Sequence, residues 1–337
     1  MKENLIKLCA LPGISGFEDA VRAYIREQAM PFADEIHEDP AGNLMILRRG
    51  NGHTTKRVML CAHMDETGFI VTHICPDGLL KFAPVGNFPA RIAPGLSLQV
   101  GDAGTPGIII LKPIHLSSKE ERSLTPPLDE LRIDIGARSR EEAEKLTFPG
   151  DFAAFASQPH AFGADSLAAK ALDSRAPCAI LLELIKKPHP CDVWYVFSVQ
   201  RQIGSGIGPA VHRLAPDCAL VLDGFAAGDT PDCAAETSWA LGQGPVVPSF
   251  LEKFRPSPAL IEIASAAAAA SGIPVQNKLQ CTQPDTGNAA QIAAGVQGVA
   301  TLCLGLPVRY IRCAHSAVRF SDLKHLLTLT DSVLALQ

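Results

Sequence analysis

His63 and Asp65 stand two positions apart, just after the apolar run Val58-Met59-Leu60-Cys61. On extended backbone, residues two apart share a face. The imidazole and the carboxylate would therefore project to one side. A metal-bound imidazole uses this pairing, because its second ring nitrogen donates to a carboxylate that fixes tautomer and orientation. The same pairing also describes a histidine hydrogen-bonded to a neighbouring acid near a turn. For the tripeptide taken alone, that plainer arrangement has the better claim.

The elements needed to position this pair can be traced along the chain. Val58–Cys61 reads as a buried strand that delivers His63. Later strands are expected at 193–197, 219–222 and 300–304. They lead respectively to Gln200-Arg201-Gln202, to Asp223, and through Pro307-Val308-Arg309-Tyr310 to His315. Asp173 lies in Ala171-Leu172-Asp173-Ser174-Arg175, just before a helix expected over 177–185. Further helices are expected at 18–30, 209–214, 258–271 and 323–336, alternating with strands. This alternation implies an α/β fold with a mixed, largely parallel sheet and flanking helices. In open α/β sheets, ligand sites form beyond the carboxyl ends of the strands. A histidine and aspartates gathered there favour a Zn2+-type site over a salt-bridge network.

Between about Gly68 and His160 the texture changes. Short apolar runs (69–71, 96–100, 107–111, 131–135, 152–155) are punctuated by Gly and Pro, which suggests a small β-barrel-like domain. One short helix interrupts it, with Ser139 as N-cap ahead of Arg140-Glu141-Glu142. The expected organisation is an α/β domain of residues 1–68 plus 161–337, carrying an inserted β-rich domain of residues 69–160.

Composition narrows the class. With 337 residues the chain is long enough for two sizeable cores, and its net charge of −5 makes nucleic acid no obvious partner. No run of eighteen apolar residues marks a membrane-spanning helix, and the first residues lack a signal-peptide pattern. Ten cysteines are scattered without a Cys-x-x-Cys pair, which fits buried reduced thiols in a cytoplasmic protein. Gly204-Ser205-Gly206-Ile207-Gly208 has Pro209 where a dinucleotide loop needs its last glycine, and reads as a tight strand-to-helix turn. Ser15, Ser166 and Ser174 have no activating-base pattern. Cys313 reads as a cysteine beside a ligand loop rather than a nucleophile. His53, His73, His115, His160, His189, His212 and His325 read as surface, turn or packing histidines.

Several ordered motifs carry a resemblance that spans nearly the whole chain. They are Leu11-Pro12-Gly13-Ile14-Ser15-Gly16-Phe17-Glu18, Ala62-His63-Met64-Asp65-Glu66-Thr67-Gly68-Phe69, Lys112-Pro113-Ile114-His115-Leu116 and Ile133-Asp134-Ile135-Gly136-Ala137, then Ala171–Arg175, Asp223, Gly242-Gln243-Gly244-Pro245 and Pro307–Ile311. The chain resembles the glutamyl-aminopeptidase-like, tetrahedral (TET) metalloaminopeptidases. The resemblance implies a two-metal peptidase domain with an inserted domain. It also implies release of N-terminal residues from short peptides by a metal-activated water, and assembly from dimers up to hollow dodecamers. Carried over by motif, His63, Asp173 and Asp223 match the ligands of one metal, with Asp173 bridging to the second. Asp65 matches the acid that orients His63.

The other half of the family site departs. Where the family has Gln-Glu-Glu, this chain has Gln200-Arg201-Gln202. Arg201 stands at the general-base position and stays protonated. Gln202 stands at a ligand position and offers a neutral amide. The last family ligand, the His of Arg-Tyr-Ile-His, is met by Arg312 without a gap, or by His315 with a three-residue insertion. Two divalent ions about 3.5–4 Å apart repel strongly, so lost carboxylates matter. The expectation is at most one tightly held divalent metal, Zn2+ or else Co2+ or Mn2+, in the His63/Asp173/Asp223 half, or none. Two functions are compatible with such a site. One is a metalloaminopeptidase of weak or altered activity. The other is a non-catalytic relative that binds peptides or serves as an assembly subunit, alone or beside active paralogues.

Overall fold

The computed structural model describes residues 1–336 apart from positions 53, 55, 232, 234–238, 252–253, 278–286 and 296–297. His53 lies outside the described residues.

Two helices, α1 (Lys2–Ala10) and α2 (Asp19–Ala29), precede strands β1 (Glu35–Glu38), β2 (Leu44–Arg48) and β3 (Arg57–His63). The chain then forms β4 (Gly68–Ile74), β5 (Leu80–Val85), β6 (Ser97–Val100), β7 (Thr105–Ile110), β8 (Arg132–Asp134), α3 (Arg140–Ala143) and β9 (Phe152–Phe155). Next come β10 (His160–Phe162), β11 (Ser166–Ala169), α4 (Leu172–Leu184), β12 (Asp192–Ser198), α5 (Gly208–Leu214) and β13 (Cys218–Ala226). The last elements are α6 (Pro258–Ala270), α7 (Gly287–Ala293), β14 (Ala300–Val308), β15 (Ser316–Arg319) and α8 (Phe320–Ala335).

The principal sheet runs β1-β2-β12-β3-β13-β14. Its four later members pair in parallel, and β1 and β2 add an antiparallel edge. The parallel strands read as unbroken apolar runs because helices cover both faces. On one face α1, α2, α4, α6 and α8 pack over Leu60, Leu220 and Leu304. On the other, α5 and α7 pack over Met59, Cys61 and Val221. With this register, His63 at the end of β3 lies beside Ser198 at the end of β12, and Asp223 of β13 pairs with Gly305.

Strands β4-β5-β8-β7-β6-β9 close into a barrel. Phe69 stands at its centre with Phe82, Phe88 and Phe155 edge-on around it, at centroid distances of 4.9, 5.0 and 6.0 Å. Such tilted pairs suit the ring quadrupoles. Each of the five apolar runs of the insertion overlaps one of its strands, with Leu96, Leu111, Leu131 and Ile135 falling just outside them. The sequence reading missed β5, where Pro84 and Lys81 mask the alternation. Ser139 does cap α3, its hydroxyl accepting the Glu142 N–H.

Helix α4 begins five residues earlier than the sequence suggests. Pro177 looks like a first-turn proline, yet it sits inside the helix, and Ala171 at φ 56° starts the turn instead. The Ala171 carbonyl accepts the N–H groups of Ser174 and Arg175. This places Asp173 in the first turn, where a carboxylate complements the helix dipole. A helix buried on nearly all sides shows little amphipathic pattern, so its true start is hard to read from spacing.

Candidate active site at the carboxyl end of the sheet

Six of the expected residues, His63, Asp65, Asp173, Arg201, Gln202 and Asp223, converge there, at the ends of β3, β12 and β13 and the start of α4. His63 is 1 % exposed and Asp65 is fully buried. His63 Nδ1 lies 3.2 Å from Asp65 Oδ1. Asp65 Oδ2 accepts the Ser15 hydroxyl and, at 2.8 Å, the Gln202 N–H. Asp65 thus orients the ring and also fixes the turn after β12. Burial works against its charge, yet the interactions with His63, Ser15 and Gln202 hold the carboxyl below its usual range.

His63 Nε2 points toward Asp223, 3.5 Å from Oδ1, and finds no hydrogen-bond partner among the described residues. Burial alone would lower the pKa of this imidazole. The carboxylates of Asp223 and Asp65 outweigh burial and raise it to about 9. The other oxygen of Asp223 accepts from Arg201 Nη2 at 3.0 Å. Burial works against the charge of Asp223, yet the guanidinium and His63 bring its pKa down to about 2. Asp173 Oδ2 receives the Gln202 side-chain amide at 3.4 Å. Burial raises the Asp173 pKa, and the positive charges of His63, Arg312 and Arg201 act against that rise.

His315 lies apart from this cluster in its contacts. It is exposed, with its ring 5.8 Å from that of His160. Arg312, in left-handed backbone at φ 64°, is the residue of its loop whose charge reaches Asp173. The Cys313 thiol is pushed up by burial and contacts the Ile311 carbonyl, which suits a passive role.

Sequence reasoning missed three contributors. Glu18, 4 % exposed, accepts the Gln200 N–H at 2.9 Å. Ser15, read as inert, holds Asp65. Gly224 lets β13 approach α4, since a Cβ there would lie 2.5 Å from the Asp173 backbone. The run Ile14-Ser15-Gly16-Phe17-Glu18 was the available signal for the first two. The close approach of Gly224 leaves no trace in sequence.

A divalent-metal pair does not fit these residues. The unpartnered His63 Nε2 is what a ligand nitrogen looks like. Asp223 and Asp173 already accept from Arg201 and Gln202. Among the described residues, no three or more His, Cys, Asp or Glu side chains are grouped as a metal site. Arg201 is a cation and Gln202 a neutral amide, and neither donates an electron pair readily.

The profile of M42 glutamyl aminopeptidases matches residues 42–329. This chain belongs to that family. Its sequence is 29 % identical over 332 residues to a lysyl aminopeptidase of Pyrococcus furiosus, covering 95 % of this chain and 92 % of that one. An aminopeptidase of the archaeon Desulfurococcus kamchatkensis superimposes with a TM-score of 0.93 at 30 % identity, covering 99 % and 94 % of the two chains. The TET1 peptidase of Pyrococcus horikoshii, which can assemble into a tetrahedron or a large octahedral shell, matches with a TM-score of 0.86 at 29 % identity over 99 % and 98 %. In this chain His63, Asp65, Asp173 and Asp223 form one half of the cluster, and Arg201 and Gln202, on the turn after β12, form the other.

Proposed function

We propose that this M42 chain engages the N-terminal ends of short peptides but hydrolyses them weakly or not at all. One observation carries this reading: Arg201, at the position the family resemblance gives to the general base, forms a buried ion pair with Asp223. A guanidinium cannot accept the proton of an attacking water, and loss of a general base typically removes about 10²–10⁴-fold in rate. His63, Asp173 and Asp223 would hold at most one divalent ion, Zn2+ or else Co2+ or Mn2+. Such an ion would supply carbonyl polarisation. Around it, Asp65 orients His63, and Gln202 holds Asp173. The closed barrel is read as the part that serves assembly and substrate access. Coverage of 98 % of the TET1 chain supports a homo-oligomer, between dimer and dodecamer. No helix among the described residues is long and apolar enough to cross a membrane. The nine described cysteines are all free thiols, which supports a cytoplasmic setting.

A non-catalytic family member that binds peptides, or sits beside active paralogues as an assembly subunit, is the second reading. The same ion pair favours it. Turnover of an aminoacyl-anilide panel with added Zn2+, Co2+ or Mn2+, run beside elemental analysis, tests both. Slow or absent release is expected, and brisk turnover by a chain carrying two metals would refute the proposal.

A further inference from the structure

We propose that the Arg201 guanidinium is a built-in replacement for the metal cation, so that the site is assembled and complete without a divalent ion. This rests on the reading of an altered M42 site and goes past it, from a weakened metal centre to one whose counter-cation is a side chain.

Three separate observations place Arg201 in a constructed seat. The first is the backbone. Gln200 adopts a left-handed conformation at φ 58°, and its N–H is held by the buried Glu18 carboxylate at 2.9 Å. Two residues on, the Gln202 N–H is held by the buried Asp65 carboxylate at 2.8 Å. Arg201 is thus gripped from both sides by acids anchored on other segments. The second is space. Gly287, at the start of α7, carries no side chain where a Cβ would lie 2.7 Å from Arg201 Cδ and 2.9 Å from Nε. Any other residue there would push the arginine stem out of its channel. The third is charge. Arg201 is 4 % exposed, and its Nη2 meets Asp223 Oδ2 at 3.0 Å. Beside it, the Gln202 amide takes up the oxygen of Asp173 that faces the same space. A buried carboxylate needs a compensating charge, and here the chain itself supplies it. A divalent ion entering this space would confront the guanidinium already paired with Asp223.

The test is thermal unfolding of the full-length protein, with EDTA and with excess Zn2+, together with metal content after purification. Wild type should hold less than stoichiometric metal, and its Tm should be unmoved by either reagent. Arg201→Ala should lower Tm by several degrees. Zn2+ should then restore much of that loss, with about one ion taken up per chain, because His63, Asp173 and Asp223 become available as ligands. Gly287→Ala, which keeps the arginine but obstructs its seat, should also gain a Zn2+-dependent rise in Tm, so the proposal stays testable if Arg201→Ala fails to fold. A wild-type Tm that falls in EDTA or rises with Zn2+ would overturn the proposal. So would a destabilised Arg201→Ala that ignores Zn2+, since Arg201 would then be an ordinary structural ion pair. A slow enzyme carrying one zinc would sink this inference and leave the proposed function standing. Brisk turnover without metal dependence would do the reverse.

Discussion

Glu66→Gln probes the charge cluster that locks the two ligand-bearing segments together. Glu66 Oε1 accepts from Lys170 Nζ at 2.6 Å and from the Gly13 N–H at 3.1 Å, and lies 3.5 Å from Arg175 Nη2. Glu66, Lys170 and Arg175 are at most 2 % exposed. Glu66 directly succeeds Asp65, and Lys170 and Arg175 flank Asp173, so the cluster ties the end of β3 to the start of α4. Neutralising one member of a buried pair typically costs about 3–5 kcal/mol. Lys170 sets a ceiling on this cost because it can shed its proton, a tendency that its burial already promotes. Deprotonating a lysine of ordinary pKa about 10.4 costs about 4.6 kcal/mol at pH 7 and about 1.9 kcal/mol at pH 9. Arg175 cannot deprotonate, but it keeps the carbonyls of Leu8 and Gly13 at 3.2 and 3.4 Å. Urea unfolding of mutant and wild type should therefore differ by about 3–5 kcal/mol at pH 7 and by no more than about 2 kcal/mol at pH 9. Adding Lys170→Met should recover most of the pH 7 loss. A loss under about 1 kcal/mol at pH 7, or an equal loss at both pH values, would refute the reasoning.

The site itself responds to pH and to crowding. His63 is raised from 6.5 to about 9, so its contribution is fully present below pH 6.5 and is lost as pH rises through 9. That loss is on the order of 3 kcal/mol and is shared with Asp223, so the alkaline decline seen in unfolding titrations should shrink in Asp223→Asn. Asp223 is lowered from 3.8 to about 2, so its contribution is present above pH 3.8 and is lost as pH falls through 2. Gly224→Ala would drive a methyl to 2.5 Å from Asp173 Cα and should cost about 1–3 kcal/mol of unfolding free energy. A neutral result there would mean that α4 can shift freely relative to β13.

The α/β frame was legible because its parallel strands are buried on both faces and so appear as uninterrupted apolar runs. His63, Asp65 and Asp223 could be found just past the ends of such runs, and Asp173 just ahead of a helix. The start of α4 could not, because Pro177 imitates a first-turn proline and a helix enclosed on most sides lacks a polar stripe. The loop after β14 was ambiguous because one gap exchanges Arg312 for His315, and contact geometry distinguishes their surroundings. The support of Arg201 was invisible for another reason. Glu18, Asp65 and Gly287 come from three distant parts of the chain, and one of them acts by lacking a side chain.

The barrel's strand pairing has a consequence for how this chain can change. The polypeptide enters the barrel on β4 and leaves on β9, and these two strands are antiparallel neighbours with Phe69 opposite Ala153. Entry and exit therefore lie about one strand spacing apart, near 5 Å. From the standpoint of the principal sheet, nearly ninety residues are spliced in at a single point. A short loop could span that gap, while the barrel's packing on the rest of the chain runs through Phe17 against Phe152 and through Ala314 in its apolar core. The barrel closes on itself, with β5 and β8 joined through the single pair Leu80–Ile133, so that seam is the part of its surface where the ladder is thinnest.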